Sequence, residues 1–409
     1  MASKLLDTKE YGFYIFLFAL GSAGGLIFSG GLPLILIKYF RGEETQEHAA
    51  NKSLLKRLAH WQCRWLFLAA VFCGAIALFN PAFVEGRPWV ALPLFLFVAS
   101  FAIGEFLINY FRIQKSVFWA LMPRENIWRS LSALILLAIL ISGHPIDGGL
   151  VFTLVSGCLV LCIAVQSIAF FKWEGLGWLR GRPKQEDAAH ITRSEASFFS
   201  ANVLFNSMAS YLETLIIGLV IGLEEAAFFF VALRLTQLLL LPVSAMDTIG
   251  VPMVSRKFQD KDISGAQHLV GIFSAASFGL SVIGGMGLIV FGPFILGLFK
   301  PEFLDQFHIV ILMSVGAIIH AWFGTSSNLM MIADGERYYL WTRCVLIAFA
   351  LVGFLVLGPL YGLAGIVGTS LVIGTTEHIV VWLWTRKNLQ VDVMASAFFK
   401  PLLPTGRSS

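Results

Sequence analysis

The stretch SYLETLIIGLVIGLEEAAFFFVALRL, residues 210–235, decides the fold class of this chain. Two apolar runs flank an acidic turn at Glu224 and Glu225, and each run continues for many residues away from the turn. The hydrocarbon core of a bilayer is about 30 Å thick and requires about 20 apolar residues per helix. The stretch therefore predicts two membrane-spanning helices joined by a short turn.

The composition supports a bilayer as the solvent for most of the chain. Of its 409 residues, 57% are hydrophobic and 13% are charged, with a mean hydropathy of +0.79. Soluble domains carry about 25% charged residues, so this is an all-α polytopic membrane protein. About eleven transmembrane helices are predicted: 12–38, 63–80, 88–111, 127–142, 149–171, 197–221, 226–254, 267–297, 306–332, 338–357 and 363–385. Pro293 is expected to kink the eighth helix or to end it early.

The distribution of Lys and Arg predicts the orientation in the membrane. One set of alternate loops and the tail hold 24 of the 29 Lys and Arg residues, and cytoplasmic loops carry this excess. The C-terminus is therefore expected in the cytoplasm. The basic stretch 51–65 is expected to lie along the cytoplasmic surface, where it attracts anionic lipid.

Internal repetition predicts two lobes. A shift of about 214 or 215 residues aligns KEYGFYIFLFAL (9–20) with EEAAFFFVALRL (224–235), and HPIDGGL (144–150) with GPLYGLA (358–364). The first repeat has five spans and the second has six, so either the first helix inserts with its N-terminus outside or a preceding helix is absent. Parallel repeats of this kind predict two lobes around a central cavity. The predicted organisation is a five-helix lobe over 1–171, a cytoplasmic linker over 172–194, a six-helix lobe over 195–386 and a cytoplasmic tail over 387–409.

Three motifs resemble the polysaccharide-biosynthesis (O-antigen) flippases. These flippases are the oligosaccharidyl-lipid branch of the multidrug/oligosaccharidyl-lipid/polysaccharide exporter superfamily. The first motif places an acidic residue, Glu213, before LIIGLVIG (215–222), an acidic turn and AAFFFVALRL (226–235). The other two motifs are KEYGFYIFLFALGSAGGLIFSGGLP (9–33) and LGPLYGLAGIVGTSLV (357–372), so the resemblance spans nearly the whole chain.

The resemblance implies twelve or fourteen helices that work by alternating access. The implied substrate is an undecaprenyl-pyrophosphate-linked oligosaccharide, flipped from the cytoplasmic to the periplasmic leaflet of the bacterial inner membrane. A glycan polymerase and glycosyltransferases of the same pathway are the implied partners, beside membrane lipids. The family's first helix has no counterpart here.

Glu213 and Arg234 are the first candidate site residues. Each lies about nine residues from the turn between their helices, so both lie roughly 13 Å below the outer surface and can pair. One interpretation makes Arg234 a cavity cation for diphosphate or sugar, held by Glu213. The other is a buried ion pair that clamps two helices. Both interpretations stay open.

Five further residues are candidates for proton coupling or phosphate binding. Glu105 and His320 occupy matching positions in the two repeats and could carry protons, or each could be hydrogen-bonded within its own lobe. Glu377 interrupts the last helix beside His378, and only one of these two neighbours is expected to face a cavity. Arg129 and Arg343 also match between the repeats. They either follow the positive-inside rule or meet a lipid diphosphate at the cytoplasmic entrance.

Asn206 belongs to a one-sided polar stripe that also contains Asn202 and Ser210. Such a stripe serves helix packing or lines a sugar-wetted cavity. The sequence has no nucleotide-binding loop, metal motif or catalytic triad, so neither an enzyme nor a cofactor is predicted. It has no long basic run, so nucleic acid is not an expected partner. A cation-coupled multidrug exporter of the same superfamily and a non-transporting truncated member remain as alternatives to the flippase.

Overall fold

The computed structural model describes residues 1–39, 48–79, 86–114, 116–175, 211–260, 262–324, 327, 329–330 and 335–399. Every regular element within these ranges is helical, which confirms the predicted all-α class. Eight helical stretches within them are long and apolar enough to cross a membrane. The chain forms two compact units, Met1–Gly218 and Leu219–Ser409. Residues 176–194 of the expected linker lie outside the described residues, so the domain boundaries stay predictions.

The first unit is a helical bundle organised around one central helix. Its helices are α1 (Ala2–Leu5), α2 (Thr8–Ile27), α3 (Leu32–Tyr39), α4 (His48–Phe79), α5 (Ala91–Ile113), α6 (Val117–Leu121), α7 (Trp128–Ser142) and α8 (Gly148–Glu174). Helix α9 (Tyr211–Val220) begins in this unit and ends just past its boundary. A π-helical turn, Met122–Ile127, joins α6 to α7. Helix α5 packs against α2, α4 and α8. Its Phe97 is fully buried and makes ring contacts with Phe18, Trp128 and Phe152.

The predicted first span, 12–38, is not one helix. Helix α2 ends at Ile27, and the chain then turns through Gly30 and Gly31, whose φ angles are 60° and 70°. Glycine adopts this left-handed conformation at little cost, whereas other residues rarely do. The turn redirects the chain before α3 begins, so the apolar run is divided between two helices.

The basic stretch 51–65 is also not a separate surface element. It forms the first part of α4, which continues without a break to Phe79. One face of α4 is buried in the unit, with Leu54, Leu55, Leu58 and Ala69 at most 3% exposed. The basic stretch and the second predicted span therefore form one continuous helix.

The Glu10 carboxylate joins the beginning of α2 to the beginning of α8. The Arg87 guanidinium donates two hydrogen bonds to the Glu10 carboxylate, at 2.9 and 2.5 Å. The backbone N–H of Gly148 donates to the same carboxylate at 2.7 Å. Asp147 caps the N-terminus of α8 by accepting from the Leu150 N–H. These contacts satisfy helix-terminal donors that would otherwise lack partners.

The second unit consists of α10 (Leu223–Gln237), α11 (Leu241–Gln259), α12 (Ile263–Phe299), α13 (Phe307–Phe323) and α14 (Glu336–Asn388). Helix α12 packs against α11 and α13, and α13 packs against α14. Pro293 lies inside α12, which continues to Phe299. The helix therefore does not end early at this proline, and the alternative expectation of a kink stays a prediction.

Helix α14 is a hairpin of two arms. Gly362 has φ 61° and ψ −144°, a non-helical conformation that reverses the chain direction. Gly353 in the first arm lies against Thr369 in the second, and Gly358 lies against Ile366. The two predicted spans 338–357 and 363–385 correspond to these arms. The hairpin places residues more than thirty positions apart in the sequence next to each other.

Part of the predicted tail is packed onto the second unit. Val391 and Val393 are fully buried in a cluster with Val254, Ala266 and Val270. Gln267 on α12 accepts a hydrogen bond from the Asp392 N–H at 2.6 Å and donates to the Asp392 carbonyl at 2.8 Å. The segment up to Phe399 therefore belongs to the folded unit.

Candidate functional site

The α14 hairpin assembles a charged centre within otherwise apolar helices. Glu377 on the second arm accepts a hydrogen bond from the Tyr339 hydroxyl at 2.9 Å. The Nε of Arg343, on the first arm, lies 3.6 Å from the same carboxylate oxygen. The Arg343 guanidinium also lies 5.5 Å from the centre of the Tyr339 ring. One carboxylate, one guanidinium and one phenol thus meet between the two arms.

Two histidines extend this centre towards α13. The His320 ring, in the last turn of α13, is 4.4 Å from the His378 ring between centroids. His378 also stacks on Phe323 at 5.7 Å. Glu377 and His378 thus have different partners, and the expectation that only one of them faces a cavity stays a prediction. We name His320, Tyr339, Arg343, Glu377 and His378 the C-terminal polar cluster.

The cluster can hold charge and exchange protons. Arg343 contributes a guanidinium, a group that does not lose its proton in proteins. Glu377 compensates that charge, since an unpaired charge in a membrane helix costs at least about 2.5 kcal/mol. The His320–His378 pair places two imidazole rings beside these charges, and an imidazole nitrogen can accept or release a proton. All five residues are half-buried, so part of the surface of the cluster is exposed.

The first unit contains a second ion pair in its helices. The Glu105 carboxylate of α5 lies 2.8 Å from Nη1 of Arg124, whose side chain is only 8% exposed. The Arg124 guanidinium also stacks on the Phe101 ring at 4.0 Å. The sequence indicated Glu105 as a candidate for proton coupling, but it did not indicate Arg124 as its ion-pair partner. Arg124 lies on the π-helical turn before α7, a feature frequent at functional sites.

Sequence reasoning missed Arg124 because it counted this arginine among the cytoplasmic loop charges. The sequence does contain a sign that Arg124 is packed among helices, because apolar residues lie on both sides of it. VFWALM (117–122) precedes Arg124, and IW (127–128) follows it. A loop that long and apolar is expected to be helical and packed. The structure places the whole stretch in the helical path from α6 to α7.

The other arginine candidates have different surroundings. Arg129 pairs with Glu125 at 2.8 Å in an i,i+4 arrangement, and its side chain is 67% exposed. Arg234 is exposed, donates to Gln237 at 2.9 Å within its own helix and lies 4.8 Å from the Phe230 ring. Arg343 is thus the candidate arginine that joins a centre of several polar groups.

Two candidates remain without a structural assignment. Glu213 lies on α9, in the first unit, whereas Arg234 lies in the second. Their expected pairing therefore stays a prediction. Asn206 lies outside the described residues. The structure also contains no group of three metal-ligating side chains among the residues that it describes.

The fold is that of MATE transporters. An inward-facing multidrug resistance MATE family transporter of the MOP superfamily superimposes with a TM-score of 0.66, at 15% identity over 95% of this chain and 94% of that chain. An outward-facing conformation of such a transporter superimposes with a TM-score of 0.52, at 16% identity over 92% of this chain and 86% of that chain. A MOP superfamily transporter from Pyrococcus furiosus superimposes with a TM-score of 0.51, at 16% identity over 95% of this chain and 87% of that chain. That protein is described by a reversed polarity of its binding pocket, which suggests a different function for it.

These likenesses establish the fold and the class of the chain. It is an all-α, multi-pass membrane protein with the MATE architecture, as the apolar helices and these structures together indicate. No family model matches the sequence. No curated protein matches it either.

Proposed function

We propose that this protein is an alternating-access transporter that flips an undecaprenyl-pyrophosphate-linked oligosaccharide to the outer leaflet of the bacterial inner membrane. The MATE fold supports transport, since solved members of that fold include inward-facing and outward-facing states. Glycosyltransferases of the pathway supply the substrate, and a glycan polymerase consumes it.

The observation that carries the choice of substrate is the pairing of carboxylates with arginines. Glu377 faces Arg343, and Glu105 faces Arg124. A closed ion pair attracts neither cations nor anions strongly. Once the pair opens, the guanidinium can bind two phosphate oxygens, whereas the released carboxylate can be neutralised by a proton. The two centres therefore favour an anionic, diphosphate-bearing substrate over a cationic drug.

The candidate residues take complementary roles in this proposal. Arg343 and Arg234 bind the diphosphate or the first sugars, and Glu213 and Asn206 orient the glycan. Arg129 meets the lipid diphosphate at the cytoplasmic end. His320 and Glu377 couple transport to protons, and Glu105 releases Arg124 when its carboxylate is protonated.

The direct test measures translocation of a fluorescent lipid-linked oligosaccharide in proteoliposomes. We expect Arg343→Ala to lower the rate at least tenfold while the protein stays folded and inserted. The matched control is Arg337→Ala, because Arg337 is exposed on the same arm of α14. Equal rates for wild type and Arg343→Ala would contradict the role of Arg343.

A cation-coupled multidrug exporter is the second candidate function. It is favoured by the inward-facing neighbour, which is a multidrug resistance transporter. Ethidium efflux from the same proteoliposomes distinguishes the two functions. Efflux of ethidium without movement of the glycan lipid would replace the flippase proposal, and movement of neither substrate would support a non-transporting member.

A further inference from the structure

The outward face of α4 changes from basic to apolar within one turn. Lys52, His60 and Arg64 are exposed on its first half. Phe67 and Val71 follow on the second half and are 68% and 55% exposed. A soluble surface would continue with polar residues after Arg64. The abrupt change is typical of a helix that passes from the headgroup region into the hydrocarbon region.

Helical spacing places both sets of residues on one face. Residues four positions apart, such as Lys52, Lys56, His60 and Arg64, follow a single slowly turning stripe. Phe67, Val71 and Leu78 continue that stripe, while Leu55, Leu58 and Cys73 occupy the opposite, buried face. At 1.5 Å per residue, the basic part from Lys56 to Arg64 covers about 12 Å. A phospholipid headgroup and the top of its acyl chains match this length.

The apolar half of the stripe contains a shallow notch. Gly74 lies between Val71 and Leu78, and a Cβ placed there would have no neighbour within 4 Å. The 77% exposed Leu78 closes the far end of the notch. A hydrocarbon chain laid along Phe67 and Val71 can therefore approach the helix backbone at Gly74.

The junction between the two halves carries groups suited to a phosphate at the membrane interface. Trp61 and Trp65 lie at this level, and tryptophan is enriched at the headgroup boundary. The Nδ1 atom of His60 is hydrogen-bonded to the Lys56 carbonyl at 2.8 Å, which orients the imidazole ring. Arg64 lies one turn further along on the same face and can bind a phosphate with two N–H groups.

We propose that this face of α4 binds one anionic phospholipid of the cytoplasmic leaflet. The headgroup phosphate lies between His60 and Arg64, with Lys52 and Lys56 adding attraction, and an acyl chain follows Phe67, Val71 and Gly74. An acidic protein would complement only the basic half of this face. A lipid complements both halves, because its acyl chain also matches the apolar surface that follows the basic residues. This site is independent of the transported substrate.

Native mass spectrometry of the full-length protein with added phosphatidylglycerol or phosphatidylcholine tests the site. We expect wild type to retain phosphatidylglycerol selectively, and Lys52→Gln/Arg64→Gln to weaken that binding about thirtyfold. This factor corresponds to about 1 kcal/mol for each charge removed. A Gly74→Trp variant, which fills the notch without a change of charge, is expected to reduce retention as well.

The matched control removes two basic residues elsewhere. Arg112 and Lys172 are exposed at the ends of α5 and α8, so Arg112→Gln/Lys172→Gln lowers the net charge equally. We expect this control to bind phosphatidylglycerol like wild type. An equal loss in the control, undiminished binding in Lys52→Gln/Arg64→Gln, or displacement of phosphatidylglycerol by a polyprenyl diphosphate would overturn the proposal. Melting temperatures of all variants verify that they are folded.

Discussion

At the scale of single residues, two partly buried charge centres in the described part of the chain contain candidates that the sequence indicated. The C-terminal polar cluster combines a fixed charge pair, Arg343 and Glu377, with the titratable pair His320 and His378. The first unit has the simpler pair of Glu105 and Arg124. The centres differ in chemistry, because the first also contains two imidazole rings, whose nitrogens can bind and release a proton.

Replacing His320 is expected to flatten the pH dependence of transport. The His320 ring can take up a proton from the acidic side and pass it on only while it has a titratable nitrogen, and alanine has none. Transport rates in proteoliposomes between pH 5.5 and 8 measure this change. His308→Ala serves as the control, because His308 is exposed near the start of the same helix. A pH profile of His320→Ala that matches wild type would exclude proton coupling through His320.

The Glu105–Arg124 pair is expected to stabilise the first unit only as a pair. Arg124→Ala leaves the Glu105 carboxylate without compensation and is expected to cost about 3–5 kcal/mol of unfolding free energy. The double variant Glu105→Leu/Arg124→Met removes both charges and is expected to recover most of this loss. Denaturant unfolding in detergent micelles measures both. If the double variant were as unstable as Arg124→Ala, the arginine would contribute through packing on Phe101 instead.

At the scale of elements, glycines decide where apolar runs break. The Gly30–Gly31 turn divides one apolar run into α2 and α3, and Gly362 divides α14 into two arms. The second break is the one that matters for the candidate site, because it brings Tyr339 next to Glu377. The predicted spans on both sides of Gly362 were correct, since a Gly- and Pro-containing segment separates them in the sequence.

Gly30→Ala is expected to destabilise the protein more than Gly143→Ala. Both glycines have positive φ angles, 60° and 68°, which cost other residues about 1–2 kcal/mol. A Cβ at Gly30 would also collide with the Trp65 indole, whereas one at Gly143 has no neighbour within 4 Å. Apparent melting temperatures in detergent compare the two variants. A smaller or equal shift for Gly30→Ala would show that Trp65 moves aside freely.

At the scale of the whole molecule, the charge distribution makes the orientation testable. The loops that are rich in Lys and Arg, and the tail, are predicted to be cytoplasmic. A fluorescent protein fused after Ser409 is therefore expected to fluoresce in cells. A cysteine introduced at Lys300, which joins α12 to the following turn, is expected to react with a membrane-impermeant maleimide added outside. Labelling of that cysteine only after the cells are lysed would reverse the predicted orientation.

The sequence by itself determined the solvent, the fold class and the position of most helices. Long uncharged runs can satisfy their backbone groups in lipid only as helices, so composition and run length are sufficient for these conclusions. The sequence also indicated Glu377 and His320 as polar residues within apolar spans, and Arg343 as the counterpart of Arg129 in the second repeat. It treated them as separate candidates, because spacing within one helix says nothing about neighbours on another.

Only the tertiary structure decided which of these residues meet. The reversal at Gly362 and the packing of α13 on α14 join five residues from three helical segments into one cluster. The contact of the Arg124 side chain with Glu105 and Phe101 on α5 likewise shows that Arg124 is not the loop charge that the sequence indicated. An isolated charge is unfavourable wherever it lies in the bilayer, but its partner is fixed by the path of the chain. Pairing is a property of the packed helices, and no single stretch of sequence contains it.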